Sequence, residues 1–518
     1  MENQEGTVSD GTTQPRQVWS SKLGFIFAAS GSAIGLGNIV FFGANAYKYG
    51  AGAFYLPYLI ALIFIGVPFM MMEIGLGVRF NRGLPEALHH IAGRKGEFFG
   101  WWGILNATVI ATYYIAILGW VVGMLVGAFG PLWKSSQSLP AFGMPEGVLP
   151  NPFAYFFDML SRPYAMIFVA LMWLINIMVV WRGTKTIEKA VKVCVPLMWV
   201  FMIILIIRGL TLPSGPQGLR LLFTPNWDIM NNPDVWKGAF AQIFFSLSLG
   251  FGIMTAYASY LPKNSDCSAN AMMVSFMNCS FEFLAGVAIF TILFSLSIVP
   301  KASTLAMTFF VLPSGIARFP VGVTTFGVMF FVLLLLAGIS SSVSLVEALA
   351  TAIIDKYRIS RARTLLYIGG IGTLISLLFA LPFVVDSGLD DNGTLGLTLL
   401  DLSDHWAFGY GLLFMGFFES IFIGWILGSG KLRESINANT KIKLGPWFDF
   451  IIRFFGPLAV LSVIIASIVG ECKDGLYGTS MATGWAPLAI VVFTTWLVFT
   501  TGGAFVLSRE RKEKEVVE

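Results

Sequence analysis

Apolar runs long enough to cross a bilayer recur along this chain, separated by short polar or basic segments. A helix that spans hydrocarbon takes about 20 mostly apolar residues. On that measure twelve helices are predicted, at 23–47, 53–78, 98–128, 164–181, 190–208, 238–262, 270–298, 321–354, 364–384, 404–428, 449–470 and 485–507. The longer connections 129–163, 209–237 and 299–320 carry Pro, Trp and apolar patches, which predicts some helix within them.

Composition narrows the class further. Of 518 residues, 56% are hydrophobic and only 12% charged. Soluble domains carry about 25% charged residues. A soluble enzyme, a disordered chain and a nucleic-acid binder acting through a basic surface are thereby excluded. Twelve helices would use roughly 240 residues, which the apolar content supplies. The four cysteines lack metal-ligand spacing and the three histidines are too few for the usual metal centre. No nucleophile–base pair stands out, so no enzyme is expected. Met1–Val18 is polar and lacks the apolar core of a cleavable signal. The first helix is therefore predicted to direct insertion.

Charge sets the expected orientation. With both ends of the chain on one side, that side holds 23 Lys and Arg residues and the other nine, with Arg453 unassigned. Basic loops stay in the cytoplasm, so both termini are predicted to be cytoplasmic. The tail Ser508–Glu518 reads as a solvated charge run. The 385–404 loop, on the outer side, carries Asp386, Asp390, Asp391, Asp401 and Asp404 and no Lys or Arg.

Two helices are not expected to be straight. Helix 1 contains Gly31-Ser32-Ala33-Ile34-Gly35-Leu36-Gly37-Asn38 at mid-span. Each such glycine costs about 1 kcal/mol against alanine. Small residues also serve close helix packing, so this run alone leaves two readings open. Helix 6 carries Ser246-Leu247-Ser248-Leu249-Gly250-Phe251-Gly252 at a comparable depth, in the matching position of a second five-helix half. Paired breaks point to an inverted-repeat secondary transporter, because exposed backbone is tolerated at mid-membrane only around a polar site. Freed N–H groups suit a carboxylate and freed carbonyls a cation. Helix 8 adds Ala337-Gly338-Ile339-Ser340-Ser341-Ser342. These hydroxyls either bond back to their own helix or complete an oxygen shell for sodium.

These motifs resemble the neurotransmitter:sodium symporter family, in particular its bacterial amino-acid transporters of the leucine-transporter type. The likeness runs from about Arg16 to helix 10 and is carried by Gly31–Asn38, Gln242–Gly250, Ala337–Ser342 and the Arg16/Trp19 pair. It implies an all-α membrane protein with twelve transmembrane helices and an inverted five-helix repeat with helices 1 and 6 broken. Its segments would be a cytoplasmic gating segment 1–22, repeats 23–208 and 238–428 joined by an outer connection 209–237, helices 11 and 12 within 429–507, and a cytoplasmic tail 508–518.

The resemblance also implies two sodium sites. The first would use Ala33, Asn38, Ser246 and Asn278 together with the substrate carboxylate. The second would use Gly31, Ile34, Ala337, Ser340 and Ser341. Between them, Leu36, Gly37 and Tyr114 would hold the substrate carboxylate, and Ala33, Phe245, Ser246 and Ser248 its ammonium. Ile110, Phe251, Ser341 and Leu345 would line the side-chain pocket, under a lid of Phe245 and Tyr114. Relatives for monoamines carry an aspartate where this chain has Gly35, so the glycine favours a substrate with its own carboxylate. The expected partner is thus a small zwitterion, a neutral amino acid, inside a lipid bilayer, with no nucleic acid. A bacterial plasma membrane is the expected location.

Arg16 and Asp355 would form the inner gate, with Trp19 and Tyr260 nearby, although both charges also read as ordinary juxtamembrane residues. Glu73, inside helix 2, would support the broken part of helix 6. At the outer gate the family's arginine is replaced by Phe41, while its aspartate partner remains as Asp404. Chloride-dependent relatives bind the anion through residues matching Tyr58, Gln242 and Ser246 plus a hydroxyl whose position here is Glu282. A carboxylate there replaces the anion's charge and predicts chloride-independent transport; a neutral buried glutamate is the other reading. The expected function is sodium-coupled import of a neutral amino acid by alternating access. The alternative is a non-transporting sodium-dependent amino-acid sensor on the same fold, for which the altered outer gate speaks.

Overall fold

The computed structural model describes residues 17–130, 151–296, 298, 304–389, 392–479 and 486–509. These residues build twelve membrane-crossing helices and no sheet; one isolated bridge pairs Val384 with Thr394. Helix 1 runs as Lys22–Ala33 (1a) and Leu36–Lys48 (1b), bent by 63°. Helix 2 is Ala51–Phe80. Helix 3 is the long part of Leu84–Ala128, after a kink at Ala92 and Gly93. Helices 4 and 5 are Tyr164–Val180 and Thr184–Leu210. Helix 6 is split into Pro233–Ser246 (6a) and Ile253–Ala258 (6b). Helices 7, 8 and 9 are Cys267–Ser295, Val323–Tyr357 and Arg361–Leu378. Helices 10, 11 and 12 are Leu395–Ala438, Pro446–Lys473 and Ala486–Leu507.

The three long connections each contain helix: Asn151–Leu160, Gly215–Phe223 and Leu312–Ala317. One expectation is corrected. Asp401 does not lie in a loop, because helix 10 starts at Leu395 and not at Asp404, capped by the Thr394 hydroxyl, which accepts from the Leu397 amide, so Asp401 and Asp404 are both helical. They therefore project from a helix into the interior. Asp390 and Asp391 fall outside the described residues.

Helices 1–5 and 6–10 form the two halves of an inverted repeat, with the broken helices in matching places. Helix 1a packs on helices 5, 7 and 8, helix 6b on helices 2 and 8, and helix 3 lies along helix 8. Both breaks have a local cause. In helix 1, Ile34 and Gly35 are extended (Gly35 φ −110°, ψ −168°), so the ladder stops and restarts. In helix 6, Ser248, Gly250 and Gly252 have φ of 56°, 78° and 70°. Left-handed backbone suits glycine; at Ser248 it is uncommon for a side-chain-bearing residue. The Glu73 carboxylate accepts the Gly250 amide at 2.8 Å, replacing the helical partner that amide has lost.

Candidate functional site

The two breaks face each other across a cavity of about 570 Å³. At helix 1, the Asn38 side-chain oxygen accepts the Gly35 N–H at 2.8 Å. The asparagine thus caps helix 1b from its own third position. The Leu36 N–H is met by the Tyr114 hydroxyl at 3.2 Å. Gly37 looks into open space: a Cβ built there meets no atom within 4 Å. Gly35 is the opposite case, since a Cβ there would stand 3.0 Å from both the Ser341 and Tyr114 hydroxyls. The N-terminus of helix 1b, the positive end of a helix dipole, therefore points its amides into the cavity beside a phenol.

Every residue expected around the substrate lines this cavity: Ala33, Leu36, Gly37, Ile110, Tyr114, Phe245, Ser246, Ser248, Phe251, Ser341 and Leu345. The Ser248 hydroxyl donates to the Ser32 carbonyl at 3.3 Å, and the Ser341 hydroxyl to the same carbonyl at 2.9 Å. Helices 1, 6 and 8 are thereby tied together at one buried carbonyl.

The residues of the expected first sodium site also meet. The Asn38 amide donates to Asn278 at 2.7 Å and to Ser246 at 3.2 Å, and the Asn278 amide donates to Ser246 at 2.5 Å. All three are at least nine-tenths buried. The cluster gathers neutral side-chain oxygens in a buried place, a donor set that suits a hard cation such as sodium. Among the described residues, no group of three or more His, Cys, Asp or Glu is placed to hold a metal. At the expected second site, Gly31 lies against Ser340: a Cβ there would be 3.3 Å from the Ser340 Cβ. The Ser340 hydroxyl donates to the Ala337 carbonyl at 2.9 Å, and Ile34 is the extended residue that ends helix 1a just beyond Gly31. These too are oxygen donors without formal charge.

Beside the first cluster, Glu282 is fully buried, accepts the Gln242 amide at 2.8 Å and takes the Tyr58 hydroxyl. Gln242 in turn accepts from Asn45 at 3.0 Å. Glu282 also lines the cavity.

The cavity has lining residues that sequence reasoning missed: Tyr113, Thr308, Asp401 and Phe408. Phe408 packs against Phe245 with ring centroids 4.3 Å apart and ring planes tilted by 31°. It lies four residues after Asp404, one turn along the same face, and that spacing was the available signal. Asp404 lines the cavity beside Tyr113. Phe41 sits in helix 1b, with its side chain outside the described residues. Lys48, two turns further along, is exposed, with its ammonium 5.0 Å from the Tyr49 ring centroid.

At the end of the bundle where most basic residues lie, the Trp19 indole donates to the Tyr257 carbonyl at 2.8 Å and its backbone amide to the Tyr260 carbonyl at 3.2 Å. The Tyr260 hydroxyl reaches Glu347 and Thr351, each at 2.8 Å. Asp355 accepts the Gly83 amide at 2.7 Å and stands 3.8 Å from Arg82. Arg16 lies outside the described residues. A further anchor was not anticipated. Glu188 of helix 5 accepts the Ser20 amide at 3.0 Å and the Ser20 and Ser21 hydroxyls at 2.6 and 2.7 Å. Its pairing with Lys192 at 2.7 Å, one turn on, is the trace it leaves in the sequence.

Two interrupted helices that turn amides and carbonyls toward a central cavity, flanked by buried neutral oxygens, define a secondary transporter rather than an enzyme. The chain belongs to the Sodium:neurotransmitter symporter family, whose pattern matches residues 16–138 and 159–502. It is 38% identical to an uncharacterized sodium-dependent transporter of Methanocaldococcus jannaschii, over 92% of this chain and 96% of that one. It is 28% identical to the sodium- and chloride-dependent GABA transporter 2 of Mus musculus, over 90% of this chain and 85% of that one. Among solved structures, MhsT in complex with L-phenylalanine superposes with a TM-score of 0.74 at 30% identity, covering 88% of this chain and all of that one.

Proposed function

We propose that this protein couples sodium entry to import of a neutral amino acid by alternating access, without chloride. The observation that carries this reading is the charge pattern of the cavity. Its described lining includes Glu282, Asp401 and Asp404 but no Lys, Arg or His. A substrate carboxylate resting on the Leu36 and Gly37 amides would then find no side-chain cation to balance it. Sodium in the Asn38–Ser246–Asn278 cluster would supply that charge, so each ligand would strengthen binding of the other, and the coupling is reciprocal. Asp401 and Asp404 disfavour an acidic side chain, and Ile110, Phe251 and Leu345 favour an apolar one.

In this reading Glu282, held by Gln242 and Tyr58, provides the negative charge that chloride gives in chloride-dependent relatives. The second sodium would sit among the Gly31, Ile34 and Ala337 carbonyls with the Ser340 and Ser341 hydroxyls, joining helix 1 to helix 8. Both termini are proposed to be cytoplasmic, at the end where the 23 Lys and Arg residues gather, in a bacterial-type plasma membrane. The decisive test is uptake of labelled L-phenylalanine and other neutral amino acids into proteoliposomes, with and without a sodium gradient and with gluconate in place of chloride. Gradient-driven uptake in gluconate is expected. Sodium-dependent binding without flux would instead identify a sensor, the reading that the substitution of Phe41 favours.

A further inference from the structure

A second, smaller cavity of about 100 Å³ lies at the basic end, between helices 2 and 10 and the loop joining helices 6 and 7. It has room for about three waters, at ~30 Å³ each, which is the scale of one tetrahedral oxyanion. Its polar lining is Arg79, Lys263, Ser265, Ser435 and Asn439. The pocket is framed by hydrogen bonds. Arg79 donates to the Lys431 carbonyl at 2.8 Å, and Asn439 donates to the Lys263 carbonyl at 3.0 Å. Thr440 donates to Asp266 at 2.5 Å.

The charges inside this frame are unbalanced. Neither Arg79 nor Lys263 has a carboxylate within ion-pair distance among the described residues. Asp266 borders the pocket but is not in its lining, and its oxygens are committed to Thr440 and to the Ala269 and Lys441 amides. Arg433 is engaged by Asp449 at 2.9 Å, and Glu434 is exposed and outside the lining. Two cations, two hydroxyls and an amide therefore converge on a space that no acidic side chain fills.

We propose that this pocket binds the phosphate group of an anionic ligand, either a membrane lipid headgroup or free phosphate. Arginine offers a fork of N–H donors that matches phosphate oxygens, and lysine adds a point charge. Basic pockets between membrane helices are suited to anionic headgroups. A bound phosphate would join Arg79 of helix 2 and Lys263 of the 6–7 loop to Ser435 and Asn439 of the helix 10 end, across the seam between them.

The test uses the full-length protein in neutral detergent, titrated with short-chain phosphatidylglycerol or with inorganic phosphate and read by thermal unfolding and native mass spectrometry. Variants are Lys263→Gln, which is exposed and remote from the core, and Arg79→Gln combined with it. Arg220→Gln/Lys237→Gln removes the same charge elsewhere. Stabilisation of the wild type, weakened by about tenfold or more in the double variant but not in the remote pair, is expected for loss of charge-assisted hydrogen bonds. Lys263→Gln alone should give a smaller loss. Phosphatidylglycerol binding that inorganic phosphate does not displace identifies a lipid site; phosphate binding by itself identifies the free anion. Equal binding of both probes by wild type and both pocket variants, or no binding of either probe by the wild type, would overturn the proposal.

Discussion

Glu73 and Gly250 lie 177 positions apart, yet the carboxylate of one holds the amide of the other at 2.8 Å inside the bundle. The amide belongs to the broken stretch of helix 6, where the backbone has turned left-handed. The carboxylate comes from the second half of helix 2. On the far side Glu73 faces Glu419 of helix 10, and both are fully buried.

Glu73→Ala is expected to strand the Gly250 amide. A buried donor left without a partner costs about 1–3 kcal/mol, so thermal unfolding in detergent should shift down and substrate binding should weaken. Glu73→Gln keeps an acceptor oxygen and should retain most of both. Equal losses in the two variants would show that the charge, not the acceptor, matters.

Asn38→Ala and Ser341→Ala should each weaken sodium-dependent substrate binding, by about tenfold if one charge-assisted contact is lost. Asn38→Ala also removes the cap on Gly35, so a sodium titration must be paired with a circular-dichroism melt. A variant that folds and keeps the wild-type sodium dependence would remove that residue from the ion site.

Phe408 and Phe245 pack against each other at the cavity, with ring centroids 4.3 Å apart. Aromatic pairs contribute about 0.5–1.5 kcal/mol beyond their area, so Phe408→Ala should speed substrate release several-fold, read by chase of a labelled amino acid. Phe41→Arg tests the replaced outer-gate position. Loss of transport is expected if this gate closes by packing; tighter occlusion would instead mean that an ion pair with Asp404 can be restored.

Glu282→Ser should make transport depend on chloride, because the serine leaves the Tyr58–Gln242 site without a fixed negative charge. Uptake is compared in chloride and in gluconate. Equal rates in the two salts would show that the carboxylate is not standing in for an anion.

Glu188→Gln should loosen the basic end. The carboxylate gathers Ser20 and Ser21 at the start of helix 1a. With that charge gone, labelling of a cysteine introduced beneath helix 1a should rise at this end, while Glu188→Asp should restore part of the protection. Unchanged labelling would make Glu188 a structural contact only.

Much of this architecture was legible in the chain itself. Apolar length and sparse charge specify a bundle of membrane helices, because hydrocarbon accepts a backbone only when its polar groups are paired internally. The glycines of helices 1 and 6 mark where that pairing fails, and the serines of helix 8 add hydroxyls beside it. What the sequence could not settle is which groups meet across it. The resemblance implied that Glu73 supports helix 6 but not which amide it takes, and Glu188 on Ser20 and Phe408 on Phe245 join positions whose separation carries no period. Asp401 read as a loop charge until helix 10 was seen to begin at Leu395. Local pattern reports helix, break and polarity, since those depend on neighbours along the chain. The partner of a buried polar group depends on how the helices pack, and only the tertiary structure decides that.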